Sequence, residues 1–234
     1  DKTLAGWEMT AKLTPRDTFS ADPAASSRFG RSVAIHGGVL VVGADKDGIG
    51  GESSGAAFVF SRRDGAWTEE AKIAPSDGGE NHYFGFAVDV DESGKTVAVS
   101  SWKYGEKVEE DDASKHVNKQ SGAVYVFSND GDAWRQEAKI VATDAEEGDR
   151  FGRDISISGD GDTLLVGAYH DDERSGSVYL FRRDGDGGWA HSPKIKDADS
   201  TANELFGSHV ALDGKALIGK PGDSNDNGVA SGAV

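Results

Sequence analysis

The chain contains no cysteine. That excludes disulfides, thiol nucleophiles and every zinc or iron–sulfur site built on thiolates. It leaves the compartment open, since a secreted protein can lack disulfides. Proline is scarce at five residues and aromatics are moderate at 9%, while glycine reaches 32, so the chain is neither collagen-like nor a coiled coil. No apolar run approaches the 18 residues of a membrane-spanning helix, and these residues include no signal-peptide pattern. They begin at Asp1 rather than methionine, which leaves a removed leader open. Basic residues are outnumbered 25 to 41, giving a net charge of −16. Phosphate contacts need clustered Lys and Arg, so this balance argues against nucleic acid or an anionic membrane as partner.

What the chain has instead is repetition. Phe-Gly occurs at Phe29-Gly30, Phe84-Gly85, Phe151-Gly152 and Phe206-Gly207. A second marker, Ser-Gly followed by β-formers, reads SGAAFVF from Ser54, SGAVYVF from Ser121 and SGSVYLF from Ser175, then stops at SGAV from Ser231. A third is a tryptophan followed by a Lys–apolar pair: Trp7 with Lys12, Trp67 with Lys72, Trp134 with Lys139 and Trp189 with Lys194. Each of those lysines is followed by an aspartate: Asp17, Asp77, Asp144 and Asp199. Markers that keep one order define repeats starting near residues 29, 84, 151 and 206 in a single region spanning 1–234. Residues 7–13 are then a last-strand segment of a preceding or closing unit.

Each repeat reads as β. Alternating apolar residues, a glycine turn and a valine-rich run, as in RSVAIHGGVLVVGA from Arg31, predict a hairpin. AAFVF, AVYVF and SVYLF predict a third strand, and the Trp-to-Ile segments a fourth. Four short antiparallel strands per unit predict β-propeller blades in an all-β fold. No segment carries a helical apolar period. Repeat two is longer than its neighbours because of one polar loop, 102–120, between its second and third strands. Such a loop is either a binding loop or a tolerated insertion.

The order FG…LLVGA…SGAVYVF…W…KI resembles the FG-GAP repeat family, known from the integrin α-subunit propeller and from bacterial and algal surface proteins. The element matching "GAP" departs from it: Gly43-Ala44-Asp45, Ser100-Ser101-Trp102, Gly167-Ala168-Tyr169 and Gly219-Lys220-Pro221. The resemblance implies a propeller, normally of seven blades, acting as an extracellular or cell-surface binding or adhesion module for a protein or glycan. On that reading the four repeats are part of a longer propeller; a four-bladed ring closed by pairing the two ends is the alternative.

The resemblance also implies calcium in the hairpin turn between the first two strands, where alternate carboxylates can converge on one ion. The corresponding residues are Asp89, Asp91 and Ser93 in repeat two, with Thr96 in place of the last acid, and Asp160 and Asp162 in repeat three. Repeats one and four are too short for such a loop. These turns are equally the Asp- and Gly-rich sequences that any hairpin needs.

By the same resemblance, ligand would meet the face made of the crossing segments and the loops between strands two and three. Candidates there are Asp17, Asp77, Asp144 and Asp199, which alternatively cap a backbone turn once per blade, and Trp102. The other tryptophans recur with the repeat and predict packing; Trp102 has no counterpart and is the exposed aromatic to test. The acidic runs Glu109–Asp112 and Asp171–Glu173 read as solvated surface. Six histidines share no register or metal-ligand spacing, and neither a nucleophile elbow nor a phosphate loop appears. The chain therefore reads as non-catalytic, with an accessory portion of a larger surface carbohydrate-active enzyme as the second function class.

Overall fold

A computed structural model describes residues 8–17, 26–105, 120–223 and 232–234. Three sheets have four antiparallel strands each, in the order of the chain. The first holds β1 (Val33–His36), β2 (Val39–Ala44), β3 (Ala56–Arg63) and β4 (Ala66–Ile73). The second holds β5 (Phe84–Val90), β6 (Thr96–Ser101), β7 (Ala123–Asn129) and β8 (Trp134–Ile140). The third holds β9 (Ile155–Ile157), β10 (Thr163–Ala168), β11 (Ser177–Arg183) and β12 (Trp189–His191). The fourth unit shows β13 (His209–Leu212) paired with β14 (Ala216–Gly219), and a single bridge from Lys220 to Ala233. That bridge repeats the register of Ala44 with Ala56, Ser101 with Ala123 and Ala168 with Ser177. Ala233 thus sits where every earlier third strand begins.

The sheets stack face to face in sequence order, and the apolar pattern follows from this. The middle strands bury both faces, so they read as continuous apolar runs instead of alternating ones. Val41 and Val59 of the first sheet pack against Val88, Val97 and Tyr125 of the second. Val124 and Ile140 of the second pack against Ile155, Leu164 and Tyr179 of the third, and Val178 of the third against Val210 of the fourth. Among the described residues no core cluster joins the fourth unit to the first. Val33 and Ile35 are exposed on β1, whereas their equivalents Val88, Val90, Ile155 and Ile157 are buried against the preceding sheet. In the first three blades the Phe of FG lies edge-on to the aromatic pair of the third strand: Phe29 to Phe58 and Phe60, Phe84 to Tyr125 and Phe127, Phe151 to Tyr179 and Phe181.

The small residues of the markers fit one contact each. Gly122 sits at φ +95°, and a Cβ there would overlap the carbonyl oxygen of Phe151 in the next sheet. The backbones meet instead, Phe151 N–H donating to the Ser121 carbonyl at 2.8 Å, as Phe84 does to Ser54 at 2.9 Å and Phe206 to Ser175 at 2.9 Å. Ser-Gly and Phe-Gly are therefore two halves of one joint between consecutive blades.

The first strand of each blade is an edge, and its unpaired N–H groups need acceptors. Asp89 Oδ2 accepts from Ile157 N–H of the third blade at 2.8 Å, and Ser156 Oγ accepts from Leu212 N–H of the fourth at 3.2 Å. Asp154 Oδ2 accepts from Val210 N–H at 2.9 Å. Side chains thereby stitch these edges from blade to blade.

Candidate functional site

The recurring Lys and Asp of the crossing segments meet across the blade joint. Asp77 lies 2.7 Å from Lys139 of the next blade and accepts from the Tyr125 hydroxyl at 2.9 Å. Asp144 repeats this with Lys194 at 2.7 Å and Tyr179 at 2.8 Å. Burial opposes ionisation of Asp77 and Asp144, but the hydrogen bonds from lysine and tyrosine outweigh it and hold both carboxyls below the usual range. Burial, with the adjacent carboxylate, drives the Tyr125 and Tyr179 hydroxyls well above theirs. Asp17 takes part only through its carbonyl, 3.4 Å from Lys72 Nζ, and Lys72 pairs with Asp47 at 2.8 Å. Asp199 donates its N–H to Asp197, whose carboxylate is 2.6 Å from Lys220. Asp77 and Asp144 thus each form an ion pair between blades, a role beyond turn capping or ligand contact, which the Asp17 and Asp199 carboxylates do not share among the described residues.

In repeats two, three and four the residue two before FG caps the preceding turn. His82 Nδ1 accepts from Gly79 N–H at 3.1 Å, Asp149 from Glu146 N–H at 2.6 Å and Glu204 from Thr201 N–H at 2.9 Å. Asp149 is buried, which raises its carboxyl to about 6, with neighbouring Asp171 adding to the rise. Asp171 departs from the solvated-surface expectation: it is buried, accepts from the Tyr179 hydroxyl at 3.1 Å and lies 2.8 Å from Lys194. The lysine next door makes a buried carboxylate tolerable there. The run Glu109–Asp112 lies outside the described residues.

The turn residues do not fit calcium. Asp91 Oδ1 accepts from Lys95 and Thr96 N–H, both at 2.9 Å, and its Oδ2 from the Ser93 hydroxyl at 2.6 Å. Asp89 binds the neighbouring blade, as described above. Asp160 accepts from the Ser158 hydroxyl and from Asp162 N–H at 3.0 Å, and Asp162 pairs with Arg183 at 3.0 Å. Among the described residues no three His, Asp or Glu side chains are grouped to hold a metal ion. A calcium loop needs six to eight converging oxygens, and here the carboxyl oxygens take backbone N–H, hydroxyl and arginine partners.

Trp102 is half-buried at the centre of a cationic and aromatic surface drawn from three blades. Its ring lies 5.3 Å from Phe86 and 6.0 Å from Tyr83, with Lys103 at 5.0 Å and Arg150 at 5.1 Å. Arg31 stands 4.0 Å and Arg153 5.0 Å from the Phe86 centroid. Arg150 and Arg153 also approach Tyr169, at 5.6 Å and 5.5 Å, and Arg150 donates to its hydroxyl. At the first-blade end, Asp45 is buried, 3.4 Å from Arg28 and 3.7 Å from Arg31; burial raises its carboxyl and the two arginines work against the rise. His170 is pushed down to about 4, by burial first and then by Arg150, Arg174 and Arg153.

Most of this surface escaped the sequence reading, although a signal existed. Aligned on FG, the preceding residue is Arg28, Tyr83, Arg150 or Leu205, and the following one Arg31, Phe86, Arg153 or Ser208. The preceding residue is left-handed in all four copies, at φ 55°, 58°, 59° and 62°. Non-glycine residues adopt that conformation rarely. Its recurrence shows that the joint imposes it whatever side chain stands there.

The FG-GAP repeat model matches residues 7–60, 67–127, 134–181 and 189–234. No curated protein matches the chain. Among solved structures it is similar to Sqt1 of Saccharomyces cerevisiae, at 12% identity and TM-score 0.46, over 75% of this chain and 37% of that one. It is also similar to a hypothetical selenium-binding protein from Sulfolobus tokodaii, at 12% identity and TM-score 0.40, over 70% and 42%. The chain thus spans about two-fifths of the length of these two proteins.

Proposed function

Because the chain belongs to the FG-GAP repeat family, with four copies folded as propeller blades, we propose that it is a non-catalytic ligand-binding module of the extracellular or cell-surface kind. No helix of the described residues is long and apolar enough to cross a membrane, in keeping with a module that meets its ligand in water. The observation that carries the reading is the surface around Trp102. Recurring blade positions that could carry any residue hold Trp, Tyr, Phe and Arg, the types enriched where binding energy concentrates. They project from a rigid scaffold near loop ends, where such folds place recognition. The reading does not rely on calcium, since Asp89 and Asp91 serve as acceptors of backbone N–H groups.

The test is an array of peptides and glycans probed with the labelled chain, then with Trp102→Ala and with Arg135→Ala on β8. Binding that Trp102→Ala removes and Arg135→Ala preserves supports the reading. Binding indifferent to Trp102, or turnover of an arrayed ligand, would overturn it.

A further inference from the structure

We infer that the arginine–aromatic surface of the first three blades binds a short acidic segment of a protein partner, through carboxylates seated on Arg31, Arg150 and Arg153. The inference deepens the binding-module reading and rests on it.

Charge is the first observation. In a chain of net charge −16, this surface gathers cations from three consecutive blades. Among the described residues, Arg150, Arg153 and Lys103 form no ion pair with a carboxylate, whereas Arg63, Arg135 and Arg183 on third and fourth strands all do. Among the described residues the row's ion pairs are those of Arg28 and Arg31 with Asp45, beneath its first-blade end, and Asp154 adds a carboxyl group beside Arg153. The suppressed basicity of His170 comes first from burial, and Arg150, Arg174 and Arg153 add to it.

Geometry is the second. Phe86, Trp102 and Tyr169 hold the guanidinium groups by their ring faces, an attraction that fixes a cation while leaving its N–H edge free. Arg150 uses one donor on Tyr169 and has others to offer. A planar fork held this way matches a carboxylate bidentately.

The choice of occupant follows from charge. Cations drawn from three consecutive blades are matched by carboxylates spaced along one extended segment. A long polyanion would feel the net negative charge of the whole protein, but a short acidic segment stays within a screening length, about 8–10 Å, of the local cations.

A fluorescein-labelled peptide of six consecutive glutamates, titrated with the full chain at 50 mM salt and followed by anisotropy, tests this. Saturable binding is expected, weakened about tenfold or more by Arg150→Gln combined with Arg153→Gln, and by 0.5 M salt. Arg31→Gln alone should weaken it several-fold, and Arg135→Gln should leave it within twofold. Melting curves confirm that each variant is folded. Bound peptide should also raise the NMR titration midpoint of His170. Absence of saturable binding, or equal binding by the folded double variant, overturns the inference. Tighter, arginine-dependent binding of trigalacturonate assigns the surface to an acidic sugar instead, and leaves the binding-module reading standing. Array ligands that depend on Trp102 but carry no negative charge would overturn the acidic-segment inference and leave the binding-module reading standing.

Discussion

Asp77 Oδ2 lies 2.7 Å from Lys139 Nζ although the two residues are 62 apart and belong to different blades. The spacing arises because an Asp leaving one blade reaches the Lys of the next, and Asp144 with Lys194 repeats it. The pair is therefore a joint of the propeller.

This joint should be measurable by a double-mutant cycle of Asp77→Ala and Lys139→Met in thermal or urea unfolding. Both side chains are partly exposed, at 40% and 26%, so solvent screening limits the coupling to about 0.5–1.5 kcal/mol. Strict additivity would show that the contact links nothing.

Two glycines separate backbone conformation from close approach. Gly122 and Gly131 are both left-handed, at φ +95° and +106°, but only Gly122 faces a neighbouring blade; a Cβ on Gly131 would meet nothing within 4 Å. Gly131→Ala should cost about 1 kcal/mol, the ordinary penalty of a left-handed non-glycine residue. Gly122→Ala adds a steric overlap that only blade separation relieves, and should cost about 3 kcal/mol or more. Equal melting temperatures for the two variants would refute the tight joint.

Asp149 gives the protein a pH dependence of stated sign. Its folded carboxyl is raised to about 6, so between about pH 4 and 6 the folded state holds a proton that the unfolded chain has lost. Through that window its contribution falls as pH rises, then stays flat. Asp149→Asn keeps an acceptor for Glu146 N–H and removes the buried charge, so it should stabilise the protein at pH 7 by about 1–3 kcal/mol and change little below pH 4. Asp77 and Asp144, held low, act oppositely: their contribution is present above the ordinary carboxyl range and is lost on acidification.

Asp89 should matter for stability without calcium. Asp89→Ala leaves Ile157 N–H without its acceptor and should cost about 1–3 kcal/mol, equally in calcium and in chelator. For the unaltered protein, calcium and chelator should give melting temperatures equal within about 1 °C and no calorimetric heat of calcium binding. A calcium-dependent rise would show that the turns of repeats two and three do gather a cation.

The blades were legible because repetition multiplies weak evidence. A single SGAVYVF or VVGA is an ordinary strand, but copies in one order fix strand number, sheet order and the third-strand register that Ala233 shares with Ala56 and Ala123. The recurring aspartates were visible for the same reason, but their partners were not, because a side chain reaching the next blade is local only in space. Trp102 stood out by breaking the pattern. Arg150, Arg153 and Phe86 did not, since each falls at a position that already varies from copy to copy.

The sequence by itself determined a four-stranded unit written repeatedly, the small residues where backbones must touch, and an acidic chain without thiol chemistry. Tertiary structure alone decided that Asp89 accepts from the next blade, that Asp171 is buried beside Lys194, and that cations scattered from Arg31 to Arg153 share one surface. The reason is physical: periodicity encodes what each strand does to its own sheet. Which charges become neighbours is set by the angle at which one blade packs on the next.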